Sequence, residues 1–133
     1  MLNVIPIPAF TDNYFWLIHN TDNDQAVIVD PGDATPVINY CEANHITPST
    51  ILITHHHPDH VGGIAELVEH YNTTVYGPAS ESIPHRDHAL VEGNQVTLPE
   101  LDDITFDVLD VPGHTSGHIA FVGNGWLFCG DTL

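Results

Sequence analysis

The chain has 133 residues, and its 18 acidic side chains face a single basic one, Arg86, for a formal net charge of −17. Such a surface repels phosphate backbones and anionic lipid, so it disfavours binding to nucleic acid and to membrane surfaces. No apolar run approaches the ~20 residues of a membrane span, and no signal peptide is visible. Two cysteines, Cys41 and Cys129, are too few for a disulfide framework and are expected to be buried thiols. We expect one cytoplasmic domain over residues 1–133.

The first third of the chain predicts an antiparallel meander of three strands. Apolar and aromatic runs mark these strands over residues 2–7, 14–18 and 26–29. A helix follows, with Thr35 as its N-cap, Pro36 at its first position and its end near Asn44.

Strand and helix patterns then alternate. A strand over residues 49–53, a helix over 62–71 and a strand over 73–76 predict an α/β layering. Residues 79–93 show no clear pattern, and their histidines, His85 and His88, are expected on the surface. Strands are predicted over residues 96–98 and 104–111. A hairpin over 119–129 is indicated by its turn sequence, Gly123-Asn124-Gly125.

The densest set of metal-ligand atoms is Thr54-His55-His56-His57-Pro58-Asp59-His60, which follows a predicted buried strand. Extended backbone would send the side chains of His55 and His57 to the same side. Protonated imidazoles packed this closely would repel one another, so the cluster makes sense around a cation with its imidazoles neutral. The alternative is a solvated loop, but this run lies between a strand pattern and a helix pattern.

Two later positions also place a ligand group directly after a strand: His114 on a glycine turn, and Asp131 in Cys129-Gly130-Asp131. Ligand sites gather at strand ends along one edge of an open α/β sheet. Each position alone is typical of a turn residue. Together with the first cluster, they indicate a shared site.

Two ions would account for these residues. His55, His57 and His114 would give three nitrogens to the first ion and leave a position for water, as in catalytic zinc sites. Asp59 and His60 would serve a second ion, with Asp131 bridging the two. Paired ions can share a water and hold it as hydroxide against an electrophile. His56 and His118 are assigned supporting or packing roles.

These motifs resemble the metallo-β-lactamase superfamily, and within it the bacterial glyoxalase II (hydroxyacylglutathione hydrolase) family. The resemblance spans nearly the whole chain. The segments that carry it are Thr11-Asp12-Asn13-Tyr14, Val29-Asp30-Pro31-Gly32, Thr54-His55-His56-His57, Pro112-Gly113-His114-Thr115 with Gly117-His118, and Phe128-Cys129-Gly130-Asp131-Thr132-Leu133.

The resemblance implies an αββα sandwich and a binuclear site, commonly zinc and sometimes with iron or manganese. The implied reaction is hydrolysis of S-lactoylglutathione to D-lactate and glutathione, which belongs to methylglyoxal detoxification. A metal-bound hydroxide, with Asp59 as its catalytic partner, would attack the thioester carbonyl. By position, His55, His57 and His114 match the ligands of the first metal, Asp59 and His60 match those of the second, and Asp131 matches the bridge.

Members of this family are roughly twice as long. A further histidine ligand to the second metal, the cationic and tyrosine residues that hold glutathione, and a helical C-terminal region lie beyond the position of Asp131 in the family. The resemblance therefore implies a truncated sandwich, in which the second half of the αββα sandwich and the C-terminal helical region are absent. Its exposed apolar sheet edge would allow self-association.

Other functions on this scaffold are a persulfide dioxygenase with one iron, a lactonase, and a metal-binding fragment without catalysis. Iron content and oxygen uptake with glutathione persulfide would identify the dioxygenase. Turnover of acyl-homoserine lactone would identify the lactonase, and metal binding without thioester cleavage would identify the inactive fragment.

Overall fold

Two β-sheets form the frame of the protein in its computed structural model, which describes residues 1–9, 13–111 and 117–130, with side chains for all of these except 9, 13, 14, 58 and 59. Sheet A contains β1 (Leu2–Ala9), β2 (Asn13–Asn20), β3 (Gln25–Val29), β4 (Thr47–Leu52), β5 (Thr74–Pro78) and β6 (His88–Leu90). Sheet B contains β7 (Gln95–Leu98), β8 (Ile104–Asp110), β9 (Ile119–Gly123) and β10 (Trp126–Phe128). A 3₁₀ turn, Pro99–Leu101, joins β7 to β8.

The strands of sheet A lie side by side in chain order, from β1 to β6. The pairs β1–β2 and β2–β3 are antiparallel, which confirms the predicted meander. The pairs β3–β4, β4–β5 and β5–β6 are parallel, because a helix or a longer connection returns the chain before each new strand. β6 was not predicted: it has only three residues, and His88 and Ala89 are exposed, so it shows no apolar run.

Three helices are described: α1 (Ala34–Asn44), α2 (Pro58–Val61) and α3 (Ile64–Tyr71). The N-cap of α1 is Asp33, not Thr35 as predicted, because the Asp33 carboxylate accepts a hydrogen bond from the backbone N–H of Thr35. The end of α1 at Asn44 is confirmed, with His45 left-handed at φ 56°. No helix in the described parts of the chain has the length and apolarity needed to cross a membrane.

Sheet A buries both of its faces, and this creates two separate cores. On one face it packs against α1 and α3, through side chains such as Leu17, Ile28, Val37 and Leu67. The second core lies between sheet A and sheet B; its fully buried side chains include Ile18, Leu52, Leu98, Phe106 and Phe121. A helical layer, a mixed sheet and a second sheet are therefore stacked, which confirms the α/β class and three layers of the αββα arrangement.

The outer face of sheet B carries exposed leucines. Leu109 is 42% exposed and Leu127 is 60% exposed, while their neighbours Val108 and Phe128 point into the core. Within the described residues no helix covers this face. The β9–β10 hairpin is confirmed, with Asn124 and Gly125 both at positive φ, as a tight type I′ turn requires.

The two cysteines differ in burial. Cys41 lies on the buried face of α1 and is fully buried, and this burial raises the pKa of its thiol to about 12. Cys129 was predicted to be buried as well, but it is only half-buried, because it follows the last residue of β10. His85 and His88 are exposed, as predicted.

Candidate metal centre

The candidate site lies where β3 and β4 end. These two strands are parallel and adjacent, so their carboxyl ends meet at one edge of sheet A. Asp30 directly follows β3, and Thr54 and His55 follow β4. The backbone N–H of Asp30 donates to the carbonyl of Leu52 at 3.0 Å, and this hydrogen bond holds the segments that follow β3 and β4 side by side.

The Asp30 carboxylate organises this edge. Asp30 is 4% exposed. Its Oδ1 accepts from the backbone N–H of Thr54 at 2.8 Å, and its Oδ2 accepts from the Thr54 hydroxyl at 2.7 Å. The same Oδ2 lies 3.0 Å from Nδ1 of His60. Because a buried carboxylate accepts hydrogen bonds, Nδ1 of His60 must carry the proton and donate to it.

The same reasoning fixes the tautomer of His55. Its Nδ1 lies 2.9 Å from the Thr54 hydroxyl oxygen. That hydroxyl has one proton, which it donates to Asp30, so it must accept from His55. In both histidines the proton is therefore on Nδ1 and the lone pair is on the buried Nε2. This is the arrangement in which an imidazole binds a metal ion through Nε2.

The imidazole rings are packed closely around His55. Its ring centroid lies 4.2 Å from that of His60, 5.0 Å from that of His57, and 4.4 Å from that of His118, which is stacked on it at 14°. Ligand atoms of Asp30, His55 and His60 lie within 4.8 Å of one another. Buried cationic rings at these distances would repel strongly, so the donor set fits neutral imidazoles around a divalent cation. Both oxygens of Asp30 already accept hydrogen bonds, so we assign it to orienting these ligands and not to binding the ion.

The structure places some of the predicted site residues and does not describe others. His55, His57 and His60 come together, whereas the exposed His56 turns away toward Glu81. The side chain of Asp59 and the whole of His114 and Asp131 lie outside the described residues. The ligand roles of all the predicted site residues, described or not, stay predictions.

The chain that follows β10 reaches this site at Gly130, the residue before Asp131. A Cβ placed on Gly130 would lie 2.5 Å from the Thr54 hydroxyl oxygen and 2.8 Å from Nε2 of His118, and its φ is +57°. Only glycine fits so close an approach in this conformation. The chain leading to Asp131 is thus held against Thr54, next to His55.

Three residues of this edge were not singled out from the sequence as site residues: Asp30, Thr54 and Glu81. Asp30 had a usable signal, since it directly follows a predicted strand, and the same kind of signal led to the prediction of His114 and Asp131. Thr54 had no signal beyond its position before His55. Glu81 lay in the stretch without a clear pattern, over residues 79–93.

We expect Asp30→Asn to weaken metal binding by roughly 10–100-fold, the usual loss when a residue that orients a metal ligand is changed. The amide could still accept from the Thr54 backbone, but its NH₂ group would then face the Thr54 hydroxyl and Nδ1 of His60. Both histidines would be driven to the tautomer with the proton on Nε2, which leaves no lone pair on Nε2 to bind a metal ion. Competition with a chromophoric zinc chelator measures the affinity.

A matched control for this change is Asp33→Asn, because Asp33 is exposed and only caps α1. Its zinc affinity should equal that of the parent chain. Equal affinities for Asp30→Asn and the parent would contradict the tautomer argument.

The chain is similar to curated proteins over its whole length. A hydroxyacylglutathione hydrolase of Photobacterium profundum is 59% identical over 134 residues, which cover 100% of this chain and 52% of that protein. The chain spans about half the length of the curated relatives it matches.

Solved structures share the fold. The crystal structure of ETHE1 from Myxococcus xanthus superposes with a TM-score of 0.79 at 25% identity, covering 98% of this chain and 57% of that one. The crystal structure of TTHA1623 in a di-iron-bound form gives a TM-score of 0.74 at 29% identity, covering 98% and 73%. Residues 10–133 match the family described as the Metallo-beta-lactamase superfamily, which is nearly the full length of the sequence. The chain therefore belongs to the metallo-β-lactamase superfamily.

Proposed function

We propose that this chain carries the metal-binding part of a thioester hydrolase of the glyoxalase II type. The observation that carries the proposal is the Asp30–Thr54 pair, which fixes His55 and His60 in the tautomers that expose Nε2. A ring separation of 4.2 Å between these two histidines suits ligands of two neighbouring ions. The identity of 59% to a protein named hydroxyacylglutathione hydrolase favours this enzyme over the protein ETHE1, which is 25% identical.

The ligand sets follow from the sequence motifs. In this proposal His55, His57 and His114 would hold the first ion, Asp59 and His60 would hold the second, and Asp131 would contribute to both. Zinc is the expected metal, with iron or manganese as the alternatives; the di-iron form of TTHA1623 shows that a related protein holds two iron ions. Bound ions would acidify a water molecule and stabilise the negative charge that develops on the thioester oxygen.

The residues of the chain itself would control protons and orientation. The Asp30 carboxylate would hold the two imidazoles in place through the reaction, and Asp59 is proposed as the acidic group beside the attacking water. Arg86 is the only basic side chain, and its Nη1 donates to the backbone carbonyls of Pro78 and Glu81. Recognition of an anionic glutathione thioester would therefore need cationic groups from the additional length that the relatives have.

The test is hydrolysis of S-lactoylglutathione by two proteins: this chain, and this chain fused to the C-terminal half of the Photobacterium profundum relative. We expect the fusion to bind two ions and cleave the thioester, and the chain alone to bind metal with little or no cleavage. Metal content is measured on both by atomic emission, and the Photobacterium profundum protein serves as the positive control.

A fusion that is folded and metal-loaded but does not cleave the thioester would contradict the proposed activity. Oxygen uptake with glutathione persulfide, or turnover of an acyl-homoserine lactone, would then assign the site to a dioxygenase or a lactonase. If the fusion shows neither oxygen uptake nor lactone turnover, the chain is a metal-binding fragment without catalysis.

The proposed setting is the cytoplasm. Both cysteines are free thiols, Cys41 in the core and Cys129 half-buried. Free thiols persist where glutathione keeps proteins reduced, which is also where a glutathione thioester is formed.

A further inference from the structure

Glu81 joins two segments that are far apart in the sequence. Its Oε1 accepts from the backbone N–H of His56 at 2.8 Å and lies 2.8 Å from Nδ1 of the same residue. Its Oε2 accepts from the backbone N–H of Gly117 at 3.0 Å. One carboxylate thus contacts the histidine-rich segment on one side and the segment entering β9 on the other.

Glu81, whose carboxylate bridges His56 and Gly117, is buried. Its side chain is 3% exposed, in a chain whose net charge of −17 disfavours any buried anion. A buried carboxylate is tolerated when its oxygens accept several hydrogen bonds, as they do here. A carboxylate in this position therefore has a specific role in holding its hydrogen-bond donors.

The surrounding structure fixes Glu81 in place. Arg86 donates from Nη1 to the carbonyls of Pro78 and Glu81, at 2.8 Å and 2.7 Å, which anchors the loop after β5. A Cβ on Gly117 would overlap Ser80 and lie 2.5 Å from Cγ of Glu81, so only glycine lets that backbone come so close. The single basic residue of the chain is thus used to anchor the Glu81 loop.

From these contacts, and resting on the proposed metal site, we propose that Glu81 is a positioning residue for the metal centre. It sets the position of His56, and so of the ligands on either side, His55 and His57. Through its hydrogen bond from Gly117, it also fixes the distance between this histidine-rich segment and His118, whose ring stacks on that of His55 at 4.4 Å. Glu81 does not bind the ion in this proposal; it holds the ligand-bearing backbone at the correct distance.

The test uses Glu81→Gln, which keeps the shape but replaces one acceptor oxygen with an NH₂ group. The amide can accept from His56 or from Gly117 but not from both, so the bridge opens. We expect zinc affinity to fall by roughly 10–100-fold and the visible absorption of the Co²⁺-substituted chain to change in position and intensity. Circular dichroism checks that the metal-free variant is folded before either measurement.

Glu92→Gln is the matched control. Glu92 is exposed and also accepts from a backbone N–H, that of Asp110 at 3.1 Å. Its zinc affinity and Co²⁺ spectrum should equal those of the parent chain. A purely structural role for Glu81 would lower stability without changing the Co²⁺ spectrum, and that result would overturn the proposal.

Glu81→Asp covers the case in which Glu81→Gln does not fold. It keeps the charge but withdraws the carboxylate by one methylene, so it can hold one segment and not both. We expect about a tenfold loss of zinc affinity; unchanged affinity would overturn the proposal. If the parent chain itself binds no metal, the proposed function fails instead, so the two failures are distinct.

Discussion

His57→Ala is expected to strip one metal ion from each chain. The first ion is proposed to be held by three imidazoles, and alanine at position 57 would remove a third of its protein nitrogens. The ring of His57 lies 5.0 Å from that of His55 and is not needed for the Asp30–Thr54 hydrogen bonds, so the fold should persist. Native mass spectrometry of the zinc-loaded chain counts the ions directly.

His70→Ala is the appropriate control for that experiment. His70 is a partly exposed histidine on α3 that contacts Glu42 at 3.3 Å, away from the site. Its metal count should match that of the parent chain. Retention of the full metal count by His57→Ala would show that His57 is not a ligand.

Phe106→Ala is expected to destabilise the chain by about 3–5 kcal/mol, the usual cost of truncating a fully buried phenylalanine. Phe106 is 0% exposed in the core between the sheets. Its ring lies 6.4 Å from that of Phe121 and 6.0 Å from that of Phe128, so its loss leaves a cavity among rigid aromatic neighbours. Urea unfolding followed by tryptophan fluorescence measures the change in the free energy of unfolding.

The neighbouring residue gives a control for this change. Asp107 lies on the same strand but points to solvent, where its carboxylate accepts from the side chain of Gln95. Asp107→Ala should change the free energy of unfolding by no more than about 0.5 kcal/mol. A loss below about 1 kcal/mol for Phe106→Ala would mean that the inter-sheet core can collapse around the gap.

The elements that the sequence predicted well are those with a local signal. The meander, the strand before the histidines and the β9–β10 hairpin each combine an apolar run with a defined turn. Residues close together in the sequence are therefore enough to predict them. β6 could not be predicted, because its pairing with β5 depends on backbone hydrogen bonds and its side chains are largely exposed. The N-cap of α1 was placed two residues late because Asp33 and Thr35 are both good caps, and only the structure shows which side chain accepts the bond.

The candidate site also combines features that local sequence predicts with features that depend on contacts between distant residues. The density of His55, His57 and His60 was enough to predict a metal site. The tautomers of His55 and His60 depend on Asp30, which lies 24 residues before Thr54 and 30 before His60. Glu81 and Gly117 are 36 residues apart, and no sequence pattern links them. Contacts at this range arise from the packing of the sheets, so they required the structure.

The chain-order arrangement of sheet A has a consequence for how the protein is made. Each of its strands pairs with the one synthesised just before it, so the sheet can grow strand by strand as the chain leaves the ribosome. Asp30, Thr54 and His60 all precede β5, so their hydrogen bonds can form before any residue of sheet B exists. The contact between Glu81 and His56 can also form at that stage, whereas the contact between Glu81 and Gly117 must wait for the later residue. The strand order thus allows the histidine-rich segment to be arranged before the strands of sheet B dock.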